Sequence, residues 1–341
     1  MEAEVAKKSL SDITGKKIRI VTKVKKSLAD LYTPVGVYLR LRDRFRDTIL
    51  LESTDSHVAE NSYSFIGINA IAGIEVRNKK SIAFKFPGQN PEKAELKTTD
   101  DLKELLWSFM QRFEVESEDP KAAQYAQGLF GYFTFDAVQF FEKINFKEES
   151  DERNKIPVAR YRLYQYVIAI NHYKNELMLL ENQVAGVESE VEVIESLINS
   201  KDVPSYPFAS VSEESSNLED EEYIEIVKKG IQSCYRGDVF QIVLSRRFQQ
   251  SFIGDEFNVY RALRHINPSP YLFFFDYGDY KLLGSSPESQ LIIKNGKAVV
   301  HPIAGTFRRT GDDAIDEQTA KDLLMDAKEN AEHVMLVDLA R

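Results

Sequence analysis

Two acidic residues near the end of the chain have a spacing that suits a metal ion. Glu329 and Glu332 lie in DAKENAEHVMLVDLAR, residues 326–341, and side chains three residues apart share a face of a helix. His333 follows four residues after Glu329. Such a carboxylate pair suits Mg²⁺, which prefers oxygen ligands and keeps waters that a substrate carboxylate or phosphate can replace. The alternative is structural, because with Asp326 as N-cap Glu329 falls at the N3 position of a capping box.

Polar residues at predicted turns are further candidates for chemistry. In HPIAGTFRR, residues 301–309, Gly305 and Thr306 offer backbone N–H groups and a hydroxyl that could hold a carboxylate. The local sequence alone favours a plain glycine turn. Glu288, in GSSPESQL, is either a buried general acid with a raised pKa or a solvated turn residue. The chain has no HExxH, P-loop, GxGxxG or GxSxG motif, so local patterns indicate no particular reaction.

One amide interrupts an otherwise apolar strand pattern. DVFQIVLSRRF, residues 238–248, is typical of a strand, and Gln241 is the uncharged polar residue within its apolar run. A side-chain amide offers donors and a weakly basic carbonyl, so Gln241 cannot take up a proton near neutral pH. The alternative is that Gln241 points outward on the polar side of its strand.

These candidates depend on an α+β fold for their positions. Segments rich in aromatic and β-branched residues predict strands at 36–43, 48–53, 62–68, 70–76, 81–86 and 161–170, and later at 239–248, 271–278, 280–286, 290–296 and 297–303. Helices are predicted within 99–113, from a capping box at Ser216 and Glu219 to a stop at Gly237, and as a pair from about Asp316 to Arg341. Runs of strands without intervening helices favour antiparallel sheets.

Composition limits the classes of partner. The 341 residues are 43% hydrophobic and 29% charged, which suits one large domain or two moderate ones. With 44 Lys and Arg against 54 Asp and Glu, the net charge of -10 argues against nucleic acid and against an anionic membrane surface. A small molecule or a protein is the expected partner.

Cellular location and domain organisation follow from simple features of the chain. Cys234 is the only cysteine, so no internal disulfide can form and a reducing compartment is expected. No apolar run approaches the length of a membrane span, and the N-terminus has no signal-like apolar region, which predicts a cytoplasmic protein. The segment 200–222 is rich in Ser, Pro and acids. It predicts an N-terminal region 1–199, a linker 200–216 and a second domain 217–341.

Five motifs, in order, resemble one enzyme family. LLES, NPSPY, SPE, PIAGT and KENAEHVMLVDLAR are similar to the motifs of the chorismate-utilising enzymes, and specifically of the large, synthase subunits of anthranilate synthases. LADLYTPVGVYLRLRD and GLFGYFTFDAVQFFE extend the likeness over nearly the whole chain. The resemblance implies two large antiparallel sheets forming a sandwich with helices outside and an active site in a cleft. It also implies binding of chorismate with Mg²⁺ and replacement of a ring hydroxyl by a nucleophile.

The resemblance gives each candidate residue a role. It implies that Glu329 and Glu332 hold Mg²⁺, that Gly305 and Thr306 form the chorismate-binding turn, and that Glu288 protonates the departing hydroxyl. His333 joins Gln241 and Glu288 as a candidate catalytic residue. Relatives that add water carry a lysine base at the position of Gln241, whereas neutral ammonia needs no such base, so the amide implies ammonia as the nucleophile.

A second position separates the two classes of ammonia-using relatives. In aminodeoxychorismate synthases the turn often reads PIKGT, with a lysine that attacks the ring, and Ala304 cannot act in that way. The resemblance therefore implies an anthranilate synthase large subunit, a lyase of tryptophan biosynthesis that releases pyruvate. The alternatives are an aminodeoxychorismate synthase and a non-catalytic fragment that binds tryptophan or docks a glutaminase.

The resemblance also implies a regulator, a partner and a longer protein. Ser53, Pro270 and Tyr271 match the family's feedback site for tryptophan, and Leu272 stands where some relatives carry methionine. A glutamine amidotransferase subunit is expected to supply ammonia. Relatives continue beyond the position of Arg341 with residues that bind metal and chorismate, so these 341 residues alone are expected to have little or no activity.

Overall fold

A sheet of eleven strands is the main structural feature of the chain, which the computed structural model describes over residues 15–53, 62–96, 98, 101–146 and 156–340. In these residues the strands are β1 Ile18–Leu28, β2 Thr48–Glu52, β3 Tyr63–Asn78, β4 Ser81–Lys85, β5 Glu92–Glu95, β6 Phe113–Glu116, β7 Phe130–Phe133, β8 Ala159–Asn171, β9 Glu176–Gln183, β10 Phe208–Ser210, β11 Ser215–Ser216, β12 Phe248–Gln249, β13 Phe252–Gly254, β14 Tyr271–Asp276, β15 Lys281–Ser286, β16 Ile292–Lys294 and β17 Lys297–Val299. The helices are α1 Pro34–Leu41, α2 Asp101–Met110, α3 Pro120–Ala123, α4 Val191–Ile198, α5 Asp220–Arg236, α6 Phe257–Ile266, α7 Asp313–Met325 and α8 Ala327–Leu339, with a 3-10 helix at Phe135–Phe140. The predicted α+β class is confirmed.

The order of strands brings the C-terminal half of the chain into the N-terminal sheet. The main order is β15, β14, β2, β3, β8, β9, β1, β6, with β4 and β5 continuing from β3 and β7 pairing with β8. Among the described residues every pair in this sheet is antiparallel except β1 with β6. β14 is therefore hydrogen-bonded directly to β2, a strand more than 200 residues earlier.

The segment 36–43 was predicted as a strand, and this prediction is wrong, because α1 occupies Pro34–Leu41. Its apolar residues fit either structure, but the residues before it favour a helix. The Thr33 side chain accepts a hydrogen bond from the Gly36 N–H at 3.0 Å, and Pro34 stands at the first helical position, where no N–H is needed.

The predicted strand over 238–248 is also not formed, apart from Phe248 in β12. Phe240 and Val243 are 85% and 87% exposed, respectively. A strand needs a neighbour for its N–H and C=O groups, and residues 239–247 pair with no strand among the described residues. Besides the eleven-stranded sheet, the described residues form three two-stranded pairs, β10 with β13, β11 with β12 and β16 with β17, and no second large sheet.

The remaining predicted helices are present, with one different cap. α5 begins after Glu219, which forms a capping box with Glu222, whereas the sequence had indicated Ser216 and Glu219. Gly237 ends α5 at φ 76°, a left-handed conformation that glycine adopts without strain. The pair of helices predicted from about residue 316 corresponds to α7 and α8.

The chain divides into two compact units. One consists of residues 1–203 and 263–341 and contains the eleven-stranded sheet with α7 and α8. The other consists of residues 204–262 and contains α5 and the segment around Gln241. The predicted boundaries at residues 199 and 217 stay a prediction. Across the described residues, no helix has both the length and the apolar character of a membrane span.

Candidate functional site

The glycine of the PIAGT turn lies directly against a carboxylate of the acidic helix. A β-carbon built on Gly305 would be 1.4 Å from Oε2 and 2.4 Å from Cδ of Glu329, so no other side chain fits there without moving Glu329. Two motifs separated by 24 positions in the sequence are thus in contact. The sequence had indicated each of them separately, and the structure brings them together.

The start of α8 fixes Glu329 in the first helical turn. The Asp326 side chain accepts hydrogen bonds from the Lys328 and Glu329 N–H groups, both at 2.9 Å, as the predicted N-cap. The Glu329 side chain is only 17% exposed, and Lys328 Nζ lies 3.5 Å from its Oε1. A carboxylate at a helix N-terminus is stabilised by the helix dipole. The capping role and a ligand role are compatible, because the capping bond uses the backbone of Glu329 and leaves its carboxylate available.

Glu332 and His333 continue α8 beyond Glu329. Glu332 is partly exposed and His333 is exposed. In the part of the chain that the structure describes, no three His, Cys, Asp or Glu side chains are grouped closely enough to hold a metal ion.

The segment that follows the PIAGT turn is bound to α7 through Asp316. Its carboxylate accepts hydrogen bonds from the Thr310 N–H at 2.7 Å, the Thr310 hydroxyl at 2.9 Å and Arg309 Nε at 2.9 Å. These bonds, led by the Thr310 backbone N–H and the Arg309 guanidinium, lower the pKa of Asp316 to about 2. Asp316 is therefore charged at any ordinary pH.

Glu288 and Gln241 lie in exposed surroundings. Glu288 follows β15 in a short turn in which its N–H donates to Ser286 Oγ at 3.2 Å, and its side chain is exposed where the general-acid hypothesis expected a buried one. Gln241 is exposed in the unit of residues 204–262, outside any strand. Thr306 is exposed too, beside Gly305.

The four residues predicted to bind tryptophan lie at adjacent strand ends. Glu52, the last residue of β2, is opposite Leu272 in β14. Ser53 follows Glu52 directly, Tyr271 precedes Leu272 directly, and Pro270 immediately precedes β14. Leu272 is buried, whereas Tyr271 is exposed. The structure thus brings together two motifs that the sequence separates by more than 200 positions.

Charged residues that the sequence interpretation missed hold these strand ends. Arg264 Nε on α6 lies 3.0 Å from Glu52 Oε2, and the Glu52 side chain is 2% exposed. His172 Nε2 lies 2.7 Å from Ser64 Oγ. Burial lowers the pKa of His172; the charge of Glu52 acts to raise this pKa, and the charge of Arg264 acts to lower it further. An acid at the end of an apolar strand was a signal for Glu52, but no local pattern pointed to Arg264 or His172.

Comparison with known proteins assigns the chain to a family. The family model for chorismate binding enzymes matches residues 51–341. The chain belongs to the chorismate-binding enzyme family. It is 33% identical to anthranilate synthase component 1 of Aquifex aeolicus over 92% of this chain and 65% of that protein, and 32% identical to that of Geobacillus stearothermophilus over 96% and 67%. The chain thus spans about two thirds of the length of these curated relatives.

Solved structures of chorismate-binding enzymes agree with the fold. Anthranilate synthase component I of Streptococcus pneumoniae superposes with a TM-score of 0.58 at 26% identity, covering 92% of this chain and 67% of that one. MenF, the menaquinone-specific isochorismate synthase of Escherichia coli, gives 0.59 at 14% identity, which supports the fold alone. The resemblance inferred from the motifs is confirmed at the level of the family and of anthranilate synthase component 1 relatives.

Proposed function

We propose that this chorismate-binding chain is part of an anthranilate synthase large subunit. The reaction joins chorismate and ammonia and, after loss of pyruvate, gives the aromatic anthranilate, which makes the enzyme a lyase of tryptophan biosynthesis. The observation that carries the proposal is the contact between Gly305 and Glu329, because it unites the candidate substrate turn with the candidate metal carboxylate. The relatives named anthranilate synthase component 1 support the choice within the family.

The acidic face of α8 fits Mg²⁺ in its chemistry. Glu329 and Glu332 supply carboxylate oxygens, the ligands that this ion prefers, and Glu329 lies directly against Gly305 of the PIAGT turn. Bound there, Mg²⁺ would neutralise the carboxylate of chorismate and assist departure of the ring hydroxyl. Glu329 and Glu332 would position it.

The protein's own groups would bind the substrate and move one proton. Backbone N–H groups at Gly305 and Thr306, with the Thr306 hydroxyl, would hold a carboxylate of chorismate. Glu288 would donate a proton to the departing hydroxyl, and His333 would assist in proton transfer. Because Glu288 is exposed here, this role requires that bound substrate covers it.

Gln241 would favour ammonia over water as the nucleophile. Its neutral amide cannot deprotonate water, whereas ammonia attacks without prior deprotonation. A glutamine amidotransferase subunit would supply that ammonia, since ammonium predominates over ammonia at neutral pH. Ala304 argues against the alternative, an aminodeoxychorismate synthase with a lysine nucleophile in the turn.

Tryptophan is the proposed feedback inhibitor. The adjacency of Ser53 to the residues Pro270, Tyr271 and Leu272 supports an effector site at the ends of β2 and β14. A ligand there inhibits if it binds one conformation of the enzyme better than another. The second candidate function, a purely regulatory module, differs in that it would bind tryptophan and not chorismate.

Calorimetry on this chain tests the proposal. With Mg²⁺ present, chorismate is expected to bind, and Glu329→Gln is expected to weaken binding at least tenfold because it removes a charged ligand. Glu317→Gln, an exposed acid on α7 that pairs with Lys321, is the matched control and should leave binding unchanged. Absence of chorismate binding, with tryptophan binding intact, would instead support the regulatory module.

Product analysis separates the two enzyme candidates. Chorismate, Mg²⁺ and ammonium are supplied, and fluorescence of anthranilate is compared with chromatographic detection of aminodeoxychorismate. Anthranilate without aminodeoxychorismate is the expected product. Accumulation of aminodeoxychorismate would overturn the proposal.

A further inference from the structure

We infer that Asp316 is a positioning residue, which fixes the conformation of residues 301–310 and through them the placement of Gly305 and Thr306. The inference rests on the proposed function only for the identity of the ligand, chorismate. Asp316 touches neither Gly305 nor Thr306, so its effect passes through Thr310 and Arg309.

The segment between β17 and α7 has little else to hold it. Residues 300–312 form neither strand nor helix, and within the described chain residues 300–311 make no backbone-to-backbone hydrogen bond. The three bonds to the Asp316 carboxylate therefore replace secondary structure as the constraint on the backbone. One of them comes from a main-chain N–H, that of Thr310 at 2.7 Å, so Asp316 restrains the chain itself as well as side chains.

A local turn strengthens the attachment. The Thr310 hydroxyl donates to Asp316 and accepts from the Asp312 N–H at 3.3 Å, and Gly311 between them has φ 86°. The Asp312 side chain then caps α7 by accepting from Ala314 N–H at 3.0 Å. The attachment of Thr310 is thus continuous with the start of the helix.

α7 and α8 contact residues 301–310 at two points. Asp316 on α7 binds Thr310, and Glu329 on α8 lies against Gly305. Asp326 ends α7 and caps α8, so the two helices meet at a single residue. Only three residues lie between Thr306 and Thr310, so the two are at most about 14 Å apart when the chain is fully extended. Fixing Thr310 therefore limits where Thr306 can lie.

Hydrogen exchange of the chain, read residue by residue, tests the inference directly. Asp316→Ala is expected to speed exchange of the Thr310 amide at least tenfold and to speed exchange across residues 304–309. Asp313→Asn, which removes an exposed charge from the same first turn of α7, is the matched control and should change exchange less than twofold. Thr310→Ser keeps the hydroxyl, so its exchange rates should match those of the parent chain. Thr310→Val should show exchange rates between those of the parent chain and of Asp316→Ala.

Chorismate binding supplies the functional readout. Asp316→Ala is expected to weaken chorismate binding at least tenfold with little change in melting temperature. Thr310→Ser is expected to bind chorismate with the affinity of the parent chain, and Thr310→Val more weakly. If Asp316→Ala fails to fold, Asp316→Asn, which keeps one acceptor oxygen, takes its place. Unchanged exchange at residues 304–310 in the Asp316 variant, or faster exchange with unchanged chorismate affinity, would overturn the inference. Failure of the parent chain to bind chorismate would overturn the proposed function, and the exchange result would then decide the role of Asp316 alone.

Discussion

At the scale of single residues, Gly305 is informative because its missing side chain is what allows the contact with Glu329. The carboxylate occupies the space that a β-carbon would fill. The glycine is therefore needed for close approach, which is a different reason from the conformational freedom that glycines with positive φ supply. A substitution at this position should act through its neighbour.

Gly305→Ala is expected to displace the Glu329 carboxylate and to lower the free energy of unfolding by about 1 kcal/mol or less, because the clashing atoms are the end of a flexible side chain and not a packed core. In a Glu329→Ala background, Gly305→Ala should lower the free energy of unfolding much less, because the clashing carboxylate is absent. Urea unfolding of the two single variants and the double variant measures this coupling. Gly128→Ala, at a glycine with no atom within 4 Å of its added β-carbon, is the control. Additive effects of the two changes would contradict the contact.

His172 predicts a pH dependence of stability. Burial lowers its pKa, so the folded state takes up a proton less readily than the unfolded state, in which the pKa is about 6.5. The unfolded state therefore binds more protons as the pH falls below that value, and stability should decrease from pH 7 towards pH 5. His172→Gln should reduce this slope in urea titrations. An NMR titration placing the pKa of His172 above 6.5 would contradict the prediction.

Several residue roles could be predicted from the sequence, and others could not, for a physical reason. Glu329 was visible because helical spacing places acids on one face, and Asp326 because caps obey local rules. Arg264 and Asp316 could not be predicted. Arg264 pairs with Glu52, which is distant in the sequence, and Asp316 accepts hydrogen bonds from an irregular loop. Residue type alone does not report such partners.

At the scale of elements, α1 shows how a cap can decide between two structures. The residues Val37, Tyr38, Leu39 and Leu41 are buried in the helix, yet their apolar and aromatic character also suits a strand. Thr33 and Pro34 add a start signal that only a helix uses. The prediction of a strand gave weight to composition and overlooked this signal.

Thr33→Ala is expected to lower the free energy of unfolding by about 1 kcal/mol, because the Gly36 N–H loses its acceptor. Thr33→Ser keeps a hydroxyl and should recover at least half of the loss. Urea unfolding followed by circular dichroism measures both variants. Equal destabilisation by alanine and serine would show that the hydroxyl does not act as the cap.

The ion pair between Arg264 of α6 and Glu52 of β2 should matter to stability and to the proposed tryptophan site. Arg264→Ala leaves the Glu52 carboxylate, 2% exposed, without its arginine, and is expected to cost about 2 kcal/mol, less than a fully buried pair because the Arg264 side chain is 40% exposed. Tryptophan affinity should fall as well, since Glu52 adjoins Ser53. Arg261→Ala on the same helix is the control. Unfolding and tryptophan calorimetry that match the parent would contradict this role.

At the scale of the whole molecule, the two compact units differ in how many hydrogen-bonded neighbours their strands have. In the first, apart from the pair β16 with β17, the strands form one large sheet in which β3 and β8 each have neighbours on both sides and residues from both halves of the chain take part. In the second, β10 to β13 form only two-stranded pairs, which are marginal in isolation. Local sequence predicted apolar strands in both units, correctly for β14 and β15 but wrongly for residues 239–247, because it reports strand character and not the presence of a partner.

Hydrogen exchange should reveal this contrast along the chain. Amides at the centre of β3 and β8, between ladders on both sides, are expected to exchange slowest, over hours, since they open only with the sheet. Amides of residues 239–246 donate no hydrogen bond within the described chain and should exchange within minutes, with Phe240 and Val243 in water. Chorismate and Mg²⁺ form one arm of the experiment, and a glutaminase partner the other. Protection of residues 239–246 in either arm would mean that this apolar segment has gained a pairing partner, and it would identify the ligand or subunit that orders the backbone around Gln241. Protection in the free chain would contradict the unpaired conformation itself.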